Sequence, residues 1–173
     1  MIIGVVAVDS KWSIGKTNPT TGKGQLLFRL KKDMEFFRMS TEQGGIVVFG
    51  ENTYLSLPKR PLANRVNVVL CPEGHDYEGC ICIHTFDELL NFVKVMAKRF
   101  DVYICGGAML YSAMLPYYDS VVVTKVESDG GGTVFFPNLD DNQNFNLTLA
   151  TNKMIDNGHT IQFCLYERQS IDE

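Results

Sequence analysis

Apolar residues recur along this chain in two rhythms. IIGVVAV (2–8), GIVVFG (45–50), RVNVVL (65–70), ICIH (81–84), VYIC (102–105) and VVVTKV (121–126) are short runs rich in β-branched residues. Near-continuous apolar runs of this length predict strands buried on both faces, as in a parallel sheet. Helix-spaced segments lie between them, around 30–41, at NTYLSL (52–57), at FDELLNFVKVMAKR (86–99) and at AMLYSAML (108–115), where Pro116 stops the last. SKWSIGKTNPTTGKGQ (10–25) has neither rhythm and predicts a long Gly/Pro/Thr loop. At the end of the chain FNLTLATNKMID and HTIQFCLYER flank Asn157-Gly158, a strong signal for a tight hairpin. The expectation is an α/β fold with largely parallel strands and a C-terminal antiparallel hairpin, in one domain over 1–173.

One helical segment, LFRLKKDMEFFRM (27–39), breaks its own pattern. Leu30, Met34 and Phe37 share a stripe with Asp33, while Lys31, Lys32, Glu35 and Arg38 take the other side. The carboxylate therefore falls on the face expected to be buried. It is either an edge acid paired with a lysine or a carboxyl in an apolar cleft. Burial would raise its proton affinity and keep proton exchange within reach near neutral pH.

Composition narrows the partners. The chain has 173 residues, 45% of them hydrophobic, with a net charge of −4, so no global basic surface suits nucleic acid. The opening MIIGVVAV lacks a basic leader and is too short to span a bilayer, so a buried strand is expected and no membrane partner. Five cysteines, an odd number, argue against a disulfide framework and for a reducing, cytoplasmic setting. CICIH places Cys80, Cys82 and His84 two apart, but ligands roughly 6.5 Å apart along a straight strand cannot close on one tetrahedral ion. No metal is expected, and the cysteines are read as core-facing.

Chemistry gathers at two strand-to-helix turns, VVFGENT (47–53) and YICGGAMLY (103–111). Unpaired amides at helix N-termini suit phosphate, and glycine lets a ligand approach the backbone. Neither turn is a G-x-G-x-x-G or Walker motif, and each alone is explained by steric economy; two together suggest a dinucleotide pyrophosphate. Arg65, at the start of a strand, is either solvated or a fork for a carboxylate. Thr124, among valines, is either there for β-propensity or a hydrogen-bond partner for a buried acid.

Taken in order, VVAVDSKWSIGK (5–16), FRLKKDMEFFRMST (28–41), VVFGENTYLSLPKRPLANRVNVVL (47–70), YICGGAMLYSAMLP (103–116), VVVTKV (121–126) and FFP (135–137) give a chain that resembles dihydrofolate reductase over nearly its whole length. The resemblance implies an eight-stranded, mostly parallel mixed sheet flanked by four helices. It implies hydride transfer from NADPH to 7,8-dihydrofolate with protonation at pterin N5, serving one-carbon and thymidylate metabolism. Asp33 falls where the family holds the pterin's amidine-like edge, and Thr124 where it braces that carboxylate. Val5, Val6, Met34, Phe37, Leu57, Cys105 and Tyr111 match pocket walls, and Arg65 with Leu62 matches the grip on the glutamate α-carboxylate. For the cofactor, Ala7 and Ile14 match nicotinamide contacts, and Thr53, Gly106, Gly107 and Ala108 match those to the pyrophosphate. Val6, Gly15, Gly50, Leu70, Cys71, Cys105 and Leu110 are the other cofactor positions implied, and the Gly–Gly peptide is cis in the family. Diaminopyrimidine and pteridine antifolates are the implied inhibitors, and a monomer is expected.

Three departures stand out. The family's Pro-Trp is Leu27-Phe28 here, so the indole N–H near the catalytic water is absent, and the loop before Phe28 is longer than in bacterial chromosomal enzymes. Around the cofactor's 2′-phosphate stand Glu51, Asn52, Cys71, Pro72 and Met109 instead of basic or hydroxyl groups. An acid near the adenine ribose favours a free 2′-hydroxyl, so NADH is a live alternative. Two other readings remain open: a pyrimidine reductase of riboflavin synthesis, which shares the fold, and a folate-binding or structural protein that lost turnover. Asp33 together with Arg65 argues against the first.

Overall fold

The computed structural model describes residues 1–21 and 24–170. In chain order the strands are β1 (Ile2–Val8), β2 (Ser13–Thr17), β3 (Gly24–Leu26), β4 (Ile46–Gly50), β5 (Val66–Leu70), β6 (Cys80–Ile83), β7 (Val102–Ile104), β8 (Ser120–Val126), β9 (Val134–Phe135), β10 (Phe145–Ala150), β11 (Met154–Asp156) and β12 (His159–Arg168). The helices are α1 (Lys31–Thr41), α2 (Glu51–Ser56), α3 (Phe86–Met96) and α4 (Ala108–Met114), the last continued by a 3₁₀ turn at Leu115–Tyr117.

Eight strands form the main sheet in the order β10-β12-β8-β1-β7-β4-β5-β6, with β11 paired to β12 beside them. From β8 to β6 the neighbours run parallel, and β12 and β10 add antiparallel. After β1 the chain builds outward through β4, β5 and β6, then returns to insert β7 beside β1. The direction of building reverses there, and ligands of open α/β sheets bind outside the carboxyl ends of strands at such a point.

Strand alternation divides the core between the two faces of the sheet. Ile2, Val6 and Val8 of β1 join Leu89 and Val93 of α3 and Leu110, Tyr111 and Met114 of α4. Ile3 and Val5 join Tyr54 of α2 and Phe37 of α1 on the opposite face. Thr85 caps α3 by accepting from Glu88 N at 3.2 Å, with Asp87 and Glu88 in the first turn. Asn157 and Gly158, at φ 50° and 78°, make the expected primed turn.

Three expectations change. The stretch 10–25 carries β2 and most of β3, which pair with each other, and β2 pairs on its other side with β9 in a small second sheet; its residues 22 and 23 lie outside the described residues. The helix read as 86–99 ends at Met96, and Arg99 N and Phe100 N turn back onto Met96 O. The first arm of the tail hairpin is two strands, broken after Ala150, with a register shift between Leu147 and Leu149.

Candidate active site

The carboxylate that interrupts the apolar stripe is held at the carboxyl end of the parallel sheet. Leu30, at the N-cap of α1, provides no side-chain cap. Asp156 of β11 does so instead, accepting from Lys31 N at 3.2 Å and Lys32 N at 2.8 Å. One residue further on, Asp33 accepts from Thr124 Oγ1 at 2.5 Å. Thr124 is buried and sits in β8 between Ala7 of β1 and Phe163 of β12. Burial raises the proton affinity of Asp33 above that of a free aspartate; the Thr124 hydroxyl opposes this and the nearby Asp156 charge adds to it.

Around this pair the sheet supplies an apolar wall. Val5, Phe37, Leu57, Leu62 and Cys105 gather in one cluster with Val47, Phe49 and Tyr103. The Tyr111 hydroxyl is used up on Val5 O at 2.7 Å. Burial pushes the Cys105 thiol up to about 12, so it is a neutral wall and not a nucleophile. Met34 departs from expectation. It lies at the edge of the inward face with little packed over it, 61% exposed, and borders an open groove of about 660 Å³ shared with Arg29, Arg38 and Asp156. The buried stripe is Leu30, half-buried Asp33 and Phe37, and buried Thr41, while Phe36 stacks on Phe163 at 4.5 Å.

Arg65 stands at the far end of α1, one residue before β5. Its Nε donates to Ala63 O at 2.9 Å and its Nη1 to Thr41 Oγ1 at 3.2 Å. Its guanidinium lies over Phe37, 5.9 Å from the ring centroid. Buried Asn67 shapes the preceding turn by bonding Leu62 N, Leu62 O and Arg65 O. The arginine is thus a fixed cation at one end of an apolar slot whose other end is Asp33.

The two glycine junctions meet across the β4–β7 boundary. Gly50 N donates to Gly106 O at 2.8 Å, and the Gly106–Gly107 peptide is cis. A Cβ on Gly107 would come within 3.1 Å of Thr53 Oγ1, and one on Gly106 within 3.3 Å of Thr53. Backbone amides, a hydroxyl and the starts of α2 and α4 therefore line one cradle that side chains would fill. Ala108 begins α4, and Val6, Ile14, Leu70 and Leu110 lie on the α3/α4 side of the sheet. Gly15 lies in β2, paired with Leu26 and Val134. Beyond the cradle, Glu51 Oε2 accepts from Tyr77 OH at 2.9 Å and contacts His75 Nδ1 at 2.7 Å. The His75 contact, helped by Tyr77, holds the Glu51 carboxyl below its usual range. Asn52 and Pro72 are exposed and Met109 is 88% exposed, whereas Cys71 is buried, its thiol on His75 O and its carbonyl on His84 Nδ1.

The family model for dihydrofolate reductase matches residues 1–168. The chain belongs to the dihydrofolate reductase family. It is 33% identical to the dihydrofolate reductase of Haemophilus influenzae, over 78% of each chain. With that of Bacillus subtilis it shares 28% identity over 98% of this chain and 96% of the other. Its fold matches a dihydrofolate reductase from Enterococcus faecalis complexed with NADP(H) and RAB-propyl at a TM-score of 0.82 and 24% identity, covering 98% of this chain and 97% of that one.

Within this reductase family fold, Phe28 packs edge-on against His159 with centroids 5.0 Å apart, and a Cβ on Gly130 would lie 3.1 Å from its ring. The Phe28 ring itself carries no N–H donor. Several residues of the site escape sequence reasoning. Asp156, Thr41, His75 and Tyr77 each act on a partner distant in sequence, so no local spacing announces them; Asn67 acts locally, on Leu62 and Arg65, but as a single polar residue in an apolar run it carries no distinctive spacing. Asp9 belongs with them: it is buried and accepts from Lys11 N, Ser13 N and Gly130 N, tying the β1–β2 corner to the loop before β9. Its one signal was an acid directly after a buried strand.

Proposed function

We propose that this protein reduces 7,8-dihydrofolate to tetrahydrofolate, with Asp33 as the group that binds and promotes protonation of the pterin. The observation that carries this reading is a half-buried carboxyl bonded to Thr124 at 2.5 Å at one end of an apolar slot, with Arg65 fixed at the other. A flat heterocycle with a glutamate tail needs both ends: an acceptor for its amidine-like edge and a cation for its carboxylate. The residues at the glycine cradle fit a dinucleotide, since a side chain on Gly106 or Gly107 would close the space against Thr53. A bound reduced nicotinamide would supply the hydride to the C6 side of the imine. The chain's own part is to hold the pterin flat between Val5, Phe37, Leu57 and Cys105. Asp33 then keeps a proton available near N5, passed through water at the cleft mouth. Val6, Ala7, Ile14 and Gly15 would face the nicotinamide, and Gly50, Thr53, Gly107 and Ala108 the pyrophosphate.

We also propose that the choice between NADPH and NADH is weaker than usual or reversed. Glu51 presents a negative charge, with one carboxylate oxygen committed to His75 and Tyr77, where an adenosine would follow the pyrophosphate toward β5. Such an acid suits a ribose 2′-hydroxyl and repels a 2′-phosphate. The protein is taken to act as a cytoplasmic, one-domain monomer that feeds one-carbon and thymidylate metabolism and binds diaminopyrimidine or pteridine antifolates.

The test is dihydrofolate-dependent loss of the reduced-nicotinamide absorbance, run with each cofactor. Turnover with at least one of them is expected. Folate binding without turnover would favour a binding protein, and turnover only with a ribosylated aminopyrimidine would favour the riboflavin-pathway reductase. A thousandfold kcat/KM preference for NADPH, on the order of 4 kcal/mol, would sink the cofactor proposal alone.

A further inference from the structure

A carboxylate in the first turn of a helix normally turns back to the unpaired amides there, and the helix end lowers its proton affinity. Asp33, the third residue of α1, does not do this; its carboxylate is on Thr124. Two of the amides at that helix end are already taken, since Lys31 N and Lys32 N both donate to Asp156. Asp156 is 5% exposed and arrives on β11, in the ladder position opposite His159. The hairpin that carries it is tied down on both sides: Lys32 Nζ donates to Ile155 O at 2.8 Å and Asn157 Nδ2 to Arg29 O at 3.0 Å.

We propose that Asp156 is a positioning residue for the reaction: by occupying the helix-end donors of α1 it turns Asp33 away from its own helix and onto Thr124, facing the pterin slot. This rests on the reading of Asp33 given above. Two electrical effects follow, and both have the same sign. The Asp156 charge satisfies the positive helix end that would otherwise stabilise an Asp33 carboxylate, and it repels that carboxylate directly. Both favour the protonated form of Asp33, in line with Asp156 being among the causes that raise it. Among the described residues, the other charged and titratable groups around this pair are Tyr111 from α4, His159 from β12, Arg29 before α1, and Lys31, Lys32, Glu35 and Arg38 on α1, the last two sharing the open groove with Asp156. Tyr111 donates its proton to Val5 O, and the Lys32 ammonium is directed to Ile155 O.

Asp156→Asn tests the assignment because it keeps an acceptor for the helix amides while removing the charge. The readout is the pH dependence of single-turnover hydride transfer, in which activity falls as Asp33 loses its proton. The alkaline limb is expected to move to lower pH by roughly half a unit, so that the loss of rate grows with pH, while Asp156→Glu keeps the limb near its original place. An unmoved limb in a folded Asp156→Asn protein would reduce Asp156 to a structural cap and overturn the proposal. Should that variant not fold, Asp156→Ser, another neutral cap, gives the same readout. Asp33→Asn separates the two layers of the argument. A limb that survives it overturns the Asp33 reading itself, whereas a limb lost there but unmoved in Asp156→Asn overturns only the role of Asp156.

Discussion

Asp33, on α1, and Glu51, at the start of α2, are the same chemical group at opposite ends of the proposed site, and their surroundings push them in opposite directions. Asp33 has one neutral partner, a threonine hydroxyl, and an apolar wall, so burial wins and its proton affinity rises. Glu51 has a histidine and a tyrosine on the same oxygen, so it is held ionised. The first arrangement suits a group that must take part in proton traffic. The second suits a fixed charge that reads what lies beside it. What each carboxyl is suited to follows from what its neighbours do to it, not from the carboxyl alone.

The largest effect is expected at the first end. Asp33→Asn should lower turnover at neutral pH by about 10²–10³-fold while cofactor affinity, read by fluorescence titration, changes little. The same variant should melt at a higher temperature at neutral pH. A carboxyl whose affinity is raised on folding costs stability once pH exceeds the unfolded value, and that cost vanishes as pH falls and both states become protonated. Unchanged turnover would remove Asp33 from the chemistry.

At the other end, Glu51→Arg should shift the NADPH/NADH ratio of kcat/KM toward NADPH by roughly tenfold to a hundredfold. Glu51→Gln, which removes only the charge, should shift it less and in the same direction. A ratio indifferent to both would detach Glu51 from the adenosine end. Thr124→Val comes next. It leaves the buried carboxyl without its donor, and should cost about tenfold in turnover and move the alkaline limb to higher pH, because the hydroxyl it removes favours the ionised form. The smallest effect is expected from Phe28→Trp: about a threefold rise in turnover on the alkaline side, without change in KM for either cofactor, if an indole N–H can order water beside Asp33. No change would mean that the ring beside His159 has no part in proton delivery.

How legible each end was in the sequence follows the same division. Asp33 announced itself because helix spacing is local: one acid among Leu30, Met34 and Phe37 is visible within a dozen residues. Its partner Thr124 was visible as a hydroxyl in a run of valines, though only as one of two readings. Met34 was misplaced because spacing tells which residues share a face, not where the neighbouring sheet stops covering it. The strands at 13–17 and 24–26 were hidden because β9, which completes their sheet, is two residues long and more than a hundred positions away. For the same reason Asp156 on the amides of α1, and His75 and Tyr77 on Glu51, had no signature at all. The sequence marked where charges stand, and the fold decided what each is paired with.

The measurement that bears most directly on Asp33 is a carbon-13 NMR titration of its carboxyl, assigned by comparison with Asp33→Asn. The account predicts a midpoint above the 3.8 of an unperturbed aspartate; a midpoint at or below that value would contradict it.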